Sequence, residues 1–132
     1  MSLEGTRSAM TRYIDSGHTD LSMMADDVVF TTMATGEEHR GPQAVARMLR
    51  HMYHEAFDAH LERLNTIFAD RNAVLEAEFV GRHIGEFAGV PATNREVRVP
   101  LCVVYDLEND TVRRARVYLE IPVMLKQLGV AG

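Results

Sequence analysis

Apolar residues in this chain recur first at the helical period and then, from residue 58 onward, at every second position. Residues 3–16 predict a helix, because Ala9, Met10, Tyr13 and Ile14 share one face and Ser16-Gly17 ends the run. Thr19-Asp20 is a capping pair for a short second helix reaching Met24. The β-branched run Asp27–Met33 predicts a strand, Ala34–Glu37 a turn, and Glu37–Arg40 a short return strand. Gly41-Pro42 opens the strongest helical pattern, with proline at the first helical position. Val45, Met48, Leu49, Met52 and Ala56 form its apolar stripe, with Tyr53 at the margin. Arg47, Arg50, His51 and His54 fall on the other side and are expected to face solvent.

The period-two region predicts strands at His60–Phe68, Ala73–Phe87, Glu96–Asp106 and Thr111–Glu120. Turns are expected at Ala69–Asn72 and Leu107–Asp110, and a bend of the long strand at Gly81 or Gly85. Pro122 and Gly129 bracket a last helix. Helices segregated onto one face of a curved antiparallel sheet make an α+β fold. A curled sheet closed by helices leaves a cone-shaped cavity of the kind small ligands occupy. Alternation puts Arg114, Arg116, Tyr118 and Glu120 on one face of the last strand and Ala115, Val117 and Leu119 on the other. It does not say which face lines the cavity. In the long strand, Leu75, Ala77, Phe79 and His83 share a face that reads as interior, opposite Glu76, Glu78 and Arg82.

A length of 132 residues fits one domain over 1–132. The net charge of −5, with no basic run, excludes a generic nucleic-acid backbone binder. No apolar stretch approaches the roughly 18 residues of a membrane span. The single cysteine, Cys102, sits in an apolar segment, has no partner for an internal disulfide and no nucleophile context, which suits a reducing cytoplasm. His51, His54 and His60 invite a metal reading, but His-Met-Tyr-His-Glu at 51–55 matches neither order of the zinc motif, so no metal is expected. No phosphate-binding loop, dinucleotide fingerprint or serine-nucleophile elbow occurs.

Several segments carry a family likeness in their order and spacing: Asp27-Val28-Val29-Phe30, Gly41-Pro42-Gln43-Ala44-Val45, Gly85 through Arg95, Val97-Arg98-Val99-Pro100, and Arg116-Val117-Tyr118 through Gln127-Leu128-Gly129. Together they resemble the SnoaL-like polyketide cyclases of the nuclear-transport-factor-2-like superfamily. The resemblance implies a cystatin-like roll, a homodimer or higher oligomer, a pocket inside the cone and no metal or organic cofactor. It also implies ring closure by intramolecular aldol condensation, with an acidic side chain at the end of the last strand as acid and base. On this chain that position is Glu120, where the family usually has aspartate. The family's Pro-Pro-Thr-Gly loop is here Pro91-Ala92-Thr93-Asn94, and asparagine is expected to keep the left-handed turn.

The resemblance further implies that His83 looks into the cavity, where a donor would steady an enolate oxygen. Arg116 would hold Glu120 ionised or bind a substrate carbonyl, and Tyr118 would donate to an oxyanion. The other reading is a salt bridge on the outer sheet face for Glu120, and an ion pair plus a core aromatic for Arg116 and Tyr118. Met33, Met48, Met52, Phe79 and Phe87 are expected wall residues, with plain core as the alternative. The leading expectation is a cofactor-independent cyclase acting on a hydrophobic oxygenated small molecule. The alternatives are a non-catalytic binding protein of the same fold, or an isomerase or epoxide-hydrolase-like enzyme. Val74, Val80 and Ile84 among charges on the opposite sheet face predict a homodimer through that face.

Overall fold

The computed structural model describes residues 2–17 and 20–130. Thr19, one half of the expected capping pair, lies outside them. Helix α1 (Leu3–Asp15) starts where the Ser2 hydroxyl accepts from the Gly5 N–H at 3.0 Å, and it buries Ala9, Met10 and Tyr13. The Asp20 carboxylate accepts from the Ser22 N–H and caps a single 3-10 turn, Leu21–Met23. Strand β1 (Met24–Thr32) and strand β2 (Glu37–Arg40) form the hairpin. Helix α2 (Pro42–Arg50) then widens into a π-turn, His51–Glu55. Strands β3 (Phe57–Phe68), β4 (Asn72–His83), β5 (Glu96–Glu108) and β6 (Thr111–Leu119) follow, and helix α3 (Ile121–Gln127) ends the fold.

The six strands make one sheet in the order β2-β1-β6-β5-β4-β3. It is mixed rather than wholly antiparallel. β1 runs parallel to β6, with Phe30 opposite Ala115 and Thr32 opposite Val117, while the other neighbours are antiparallel. The parallel pair arises because the hairpin is added to the free side of the last strand. A period-two pattern reports faces, not strand direction, so it could not show this. The expected bend at Gly81 is not a break, since β3–β4 pairing continues through Gly81 opposite Ala59. Leu64 instead forms a bulge in β3, and further register shifts fall in β1 and between Asp106 and Leu107. Gly81 serves a close approach: a Cβ there would stand 2.4 Å from the Asp58 carbonyl oxygen.

The long strand also ends earlier than the pattern suggests, at His83 rather than Phe87. Beyond it, Phe87 and Val90 pair across a tight turn with Ala88 at φ 50° and Gly89 at φ 80°. Asn94 adopts φ 59°, the left-handed turn expected of it.

The core lies between the inner sheet face and the helices. Tyr13 and Phe30 meet Tyr105 edge-on, and Phe57 meets Phe79 the same way. Among the described residues, no helix is long and apolar enough to cross a membrane.

Candidate functional site

A cavity of about 560 Å³ occupies the space between the inner sheet face and the α2–π-turn segment. That is the usual size for a small-molecule site. Its floor is apolar: Phe30, Leu61, Phe79, Leu101, Val103, Val117 and Leu119 from the sheet, with Met48, Leu49 and Met52 as the roof. Phe87, Ala88 and Ile121 close one side. Tyr53 and Tyr105 also line it, and burial pushes both phenols above their ordinary range, so they stay protonated. The remaining polar lining residues are Thr32, Thr35, Glu37, His39, Arg47 and His51.

Glu37 and His39 stand two residues apart on β2, opposite Thr32 and Phe30 of β1, so all four side chains share the inward face. His39 Nε2 lies 3.2 Å from Glu37 Oε1, and the histidine side chain is only 19% exposed. The Glu37 side chain is itself 66% exposed, so the pair is an ion-pair approach at the edge of the cavity. His51, one turn after Arg47 on the helix, is tied through Nδ1 to Glu55 Oε1 at 3.3 Å.

The structure brings together Met48, Met52, Phe79 and Phe87 of the expected site, all of them cavity walls. It places the others elsewhere. Ala115, Val117 and Leu119 are the inward residues of β6, so Arg116 and Tyr118 project from the opposite face, and Glu120, one residue past the strand, does not line the cavity either. Glu120 is exposed and stands at the N-terminus of α3 without a side-chain capping bond. Arg116 is committed to Asp106 through two bonds of 2.8 and 3.1 Å, and Asn72 donates to the same carboxylate at 2.8 Å. The guanidinium holds the Asp106 carboxyl below the usual aspartate range. Tyr118 is 44% exposed and Met33 40%, neither of them lining the cavity. The physical reason is one of phase: a strand shows its side chains alternately, and beyond the register shift after Val112 the inward set on β6 is Ala115, Val117 and Leu119.

His83 is fully buried on the inner face of β4, one step beyond the cavity lining. Its Nδ1 accepts from the Thr93 N–H at 3.1 Å and lies 3.0 Å from the Thr93 hydroxyl. Its ring packs against Phe57. The backbone bond to Nδ1 puts the proton of the neutral ring on Nε2, which has no partner among the described residues.

Sequence reasoning missed Glu37 and His39 as chemistry. The hairpin pairing places them beside inward-facing Phe30. It also sent Arg47 and His51 to bulk solvent; both are exposed, but they form the cavity's rim. Among the described residues, no group of three His, Cys, Asp or Glu side chains is arranged to hold a metal ion.

The SnoaL-like polyketide cyclase profile matches residues 7–128. No curated protein matches the chain by sequence. Among solved structures, it resembles a protein assigned as a SnoaL-like polyketide cyclase from Jannaschia sp. CCS1, at TM-score 0.84 and 16% identity over 98% of this chain and 94% of that one. TsrD from Streptomyces laurentii is similar at TM-score 0.81 and 18% identity, covering 99% of each chain. A protein with a ketosteroid-isomerase-like fold from Catenulispora acidiphila DSM 44928, in complex with trimethylamine, matches at TM-score 0.73 and 16% identity over 93% of each. The fold is thus the nuclear-transport-factor-2-like α+β fold, and the profile match over nearly the whole chain decides the family. The chain belongs to the SnoaL-like polyketide cyclase family.

Proposed function

We propose that this protein is a cofactor-independent cyclase that closes a ring by intramolecular aldol addition on a hydrophobic, oxygen-bearing small molecule. Family membership supports the reaction class, and the enclosed apolar cavity supports the substrate class. The observation that carries the reading is the Glu37–His39 pair on the cavity wall. The His39 imidazole takes the proton from a carbon flanked by carbonyls, leaving an enolate. The enolate carbon attacks a ketone carbon of the same molecule, forming the C–C bond and an alkoxide. The alkoxide takes the proton back from the imidazolium, so no proton is gained or lost overall. Glu37 orients the ring and stabilises its charged form. In this reading Glu120 has no proton-transfer role, and His83 shapes the wall rather than touching substrate.

The reading is tested without knowing the natural substrate. Proton exchange at the carbon between the two carbonyls of a tetralone β-keto ester, methyl 1-tetralone-2-carboxylate, in heavy water, followed by NMR, reports carbon-acid deprotonation directly. The protein should accelerate exchange, and His39→Gln should reduce that acceleration by roughly 10²–10⁴, the usual worth of general acid–base catalysis. Tetralone binding without accelerated exchange would make the cavity a carrier site instead. A homodimer through the outer sheet face belongs to the same proposal, supported by exposed Leu64 and Ile67 and by the apolar row Ile67, Val74 and Val104 across three strands. Half-buried Cys102, the one thiol, fits a reducing cytoplasmic location.

A further inference from the structure

We infer that the ligand carries a free carboxylate, seated on Arg47 at the cavity mouth with its hydrocarbon rings inside. The inference rests on the reading of the cavity as a substrate site, and adds the head group that site selects. Arg47 is the one arginine or lysine among the described lining residues. Arg40, Arg63, Arg82, Arg98, Arg113 and Arg116 each have a carboxylate within ion-pair distance. Among the described residues Arg47 has none; the same holds for Arg7, Arg12, Arg50, Arg71, Arg95, Arg114 and Lys126, but of these Arg47 alone borders the apolar cavity.

The carboxylates near the mouth are already engaged. Glu37 faces His39, and Glu55 faces His51. Each pairs with a histidine, and the permanent cation is left over. A guanidinium presents two parallel N–H donors that match a carboxylate and not an ester, which has no charge and only one strong acceptor. Arg47 and Met48 are adjacent on α2, and Met52 follows one turn on, so an acid held by Arg47 lays its apolar body along the methionine roof toward Phe79. The polar end remains at the wet mouth, where its desolvation cost is small.

Anthracene-9-carboxylate and its methyl ester, titrated at neutral pH by ligand fluorescence, test this. The carboxylate should bind about tenfold more tightly than the ester, as expected of a hydrogen bond to a charged group. Arg47→Gln should close that gap by weakening the acid alone, and Arg47→Lys should retain part of it. Equal binding of acid and ester, or an unchanged gap in Arg47→Gln, overturns the inference while leaving the cavity reading intact. Failure of both ligands to bind overturns the cavity reading, and this inference with it.

Discussion

Three histidine–glutamate pairs stand at similar distances in the described structure, 3.2 Å for His39–Glu37, 3.3 Å for His51–Glu55 and 3.4 Å for His60–Glu62. What separates them is surroundings. The His51 and His60 side chains are 51% and 65% exposed, so water screens those pairs to little effect. The His39 ring is shielded and borders an apolar volume, although its Glu37 partner is 66% exposed; what sets this pair apart is the ring's place on the cavity wall, where a proton has consequences for a bound molecule. Glu37→Gln should therefore lower kcat with little change in KM, because the amide supports the ring's position but not its positive charge. Recovery of full turnover in that variant would reduce Glu37 to a surface residue. Glu120→Gln should leave turnover unchanged and shift stability by less than about 0.5 kcal/mol, as for most exposed positions. A large loss of turnover in Glu120→Gln would return the acid–base role to the end of β6. The sequence pointed to Glu120 through a family likeness, while the alternation along β6 left the inward face open. The burial of Ala115 and Leu119 decides it, and burial is a property of what packs opposite.

At the scale of elements, α3 is docked by one side chain acting as a strand. The β5–β6 ladder ends past Leu119 opposite Leu101, where the Glu120 N–H donates to the Pro100 carbonyl at 3.2 Å and Pro100 has no N–H to return. Beyond that point Gln127 supplies both missing partners, donating to the Arg98 carbonyl at 2.9 Å and accepting from the Arg98 N–H at 2.8 Å. Gln127→Ala should cost about 1 kcal/mol in urea unfolding, and fast amide exchange at Arg98 should accompany it. The Asp106–Arg116 pair gives a pH signature. Its aspartate is depressed in the folded state, so its contribution is present above the ordinary carboxylate range near pH ~4 and is lost on acidification. With the carboxylate 37% exposed, the contribution stays below about 1 kcal/mol. The Tm difference between the native chain and Asp106→Asn should accordingly be visible at neutral pH and vanish in acid. A gap that persists in acid would assign the effect to packing. Element types were legible throughout, because helices and strands carry different apolar periods. The π-turn was not, since Met52, Tyr53 and Ala56 fit an ordinary helical stripe just as well.

For the molecule as a whole, the outer sheet face is where assembly is to be tested. Arg98 bridges Glu62 and Glu78 there, leaving the row Ile67, Val74 and Val104 as its apolar strip. Val104→Glu places a charge within that row and should convert a dimer to monomer in sedimentation velocity. A native chain that sediments as a monomer at high micromolar concentration would remove the dimer from the account. Fold class was readable from the order of periodicities. The site was readable only in its walls, because Glu37 and His39 come from a four-residue strand too short to show a pattern of its own. That strand has consequences for descent. β2 is the sheet's edge, paired on one side only, and Glu37, Glu38 and Arg40 are exposed. Substitutions there alter the rim without disturbing the buried rows of β4 and β5. A lineage can thus exchange its reactive groups by mutating a few edge positions while inheriting the barrel-like interior intact, so divergence of chemistry should run ahead of divergence of fold.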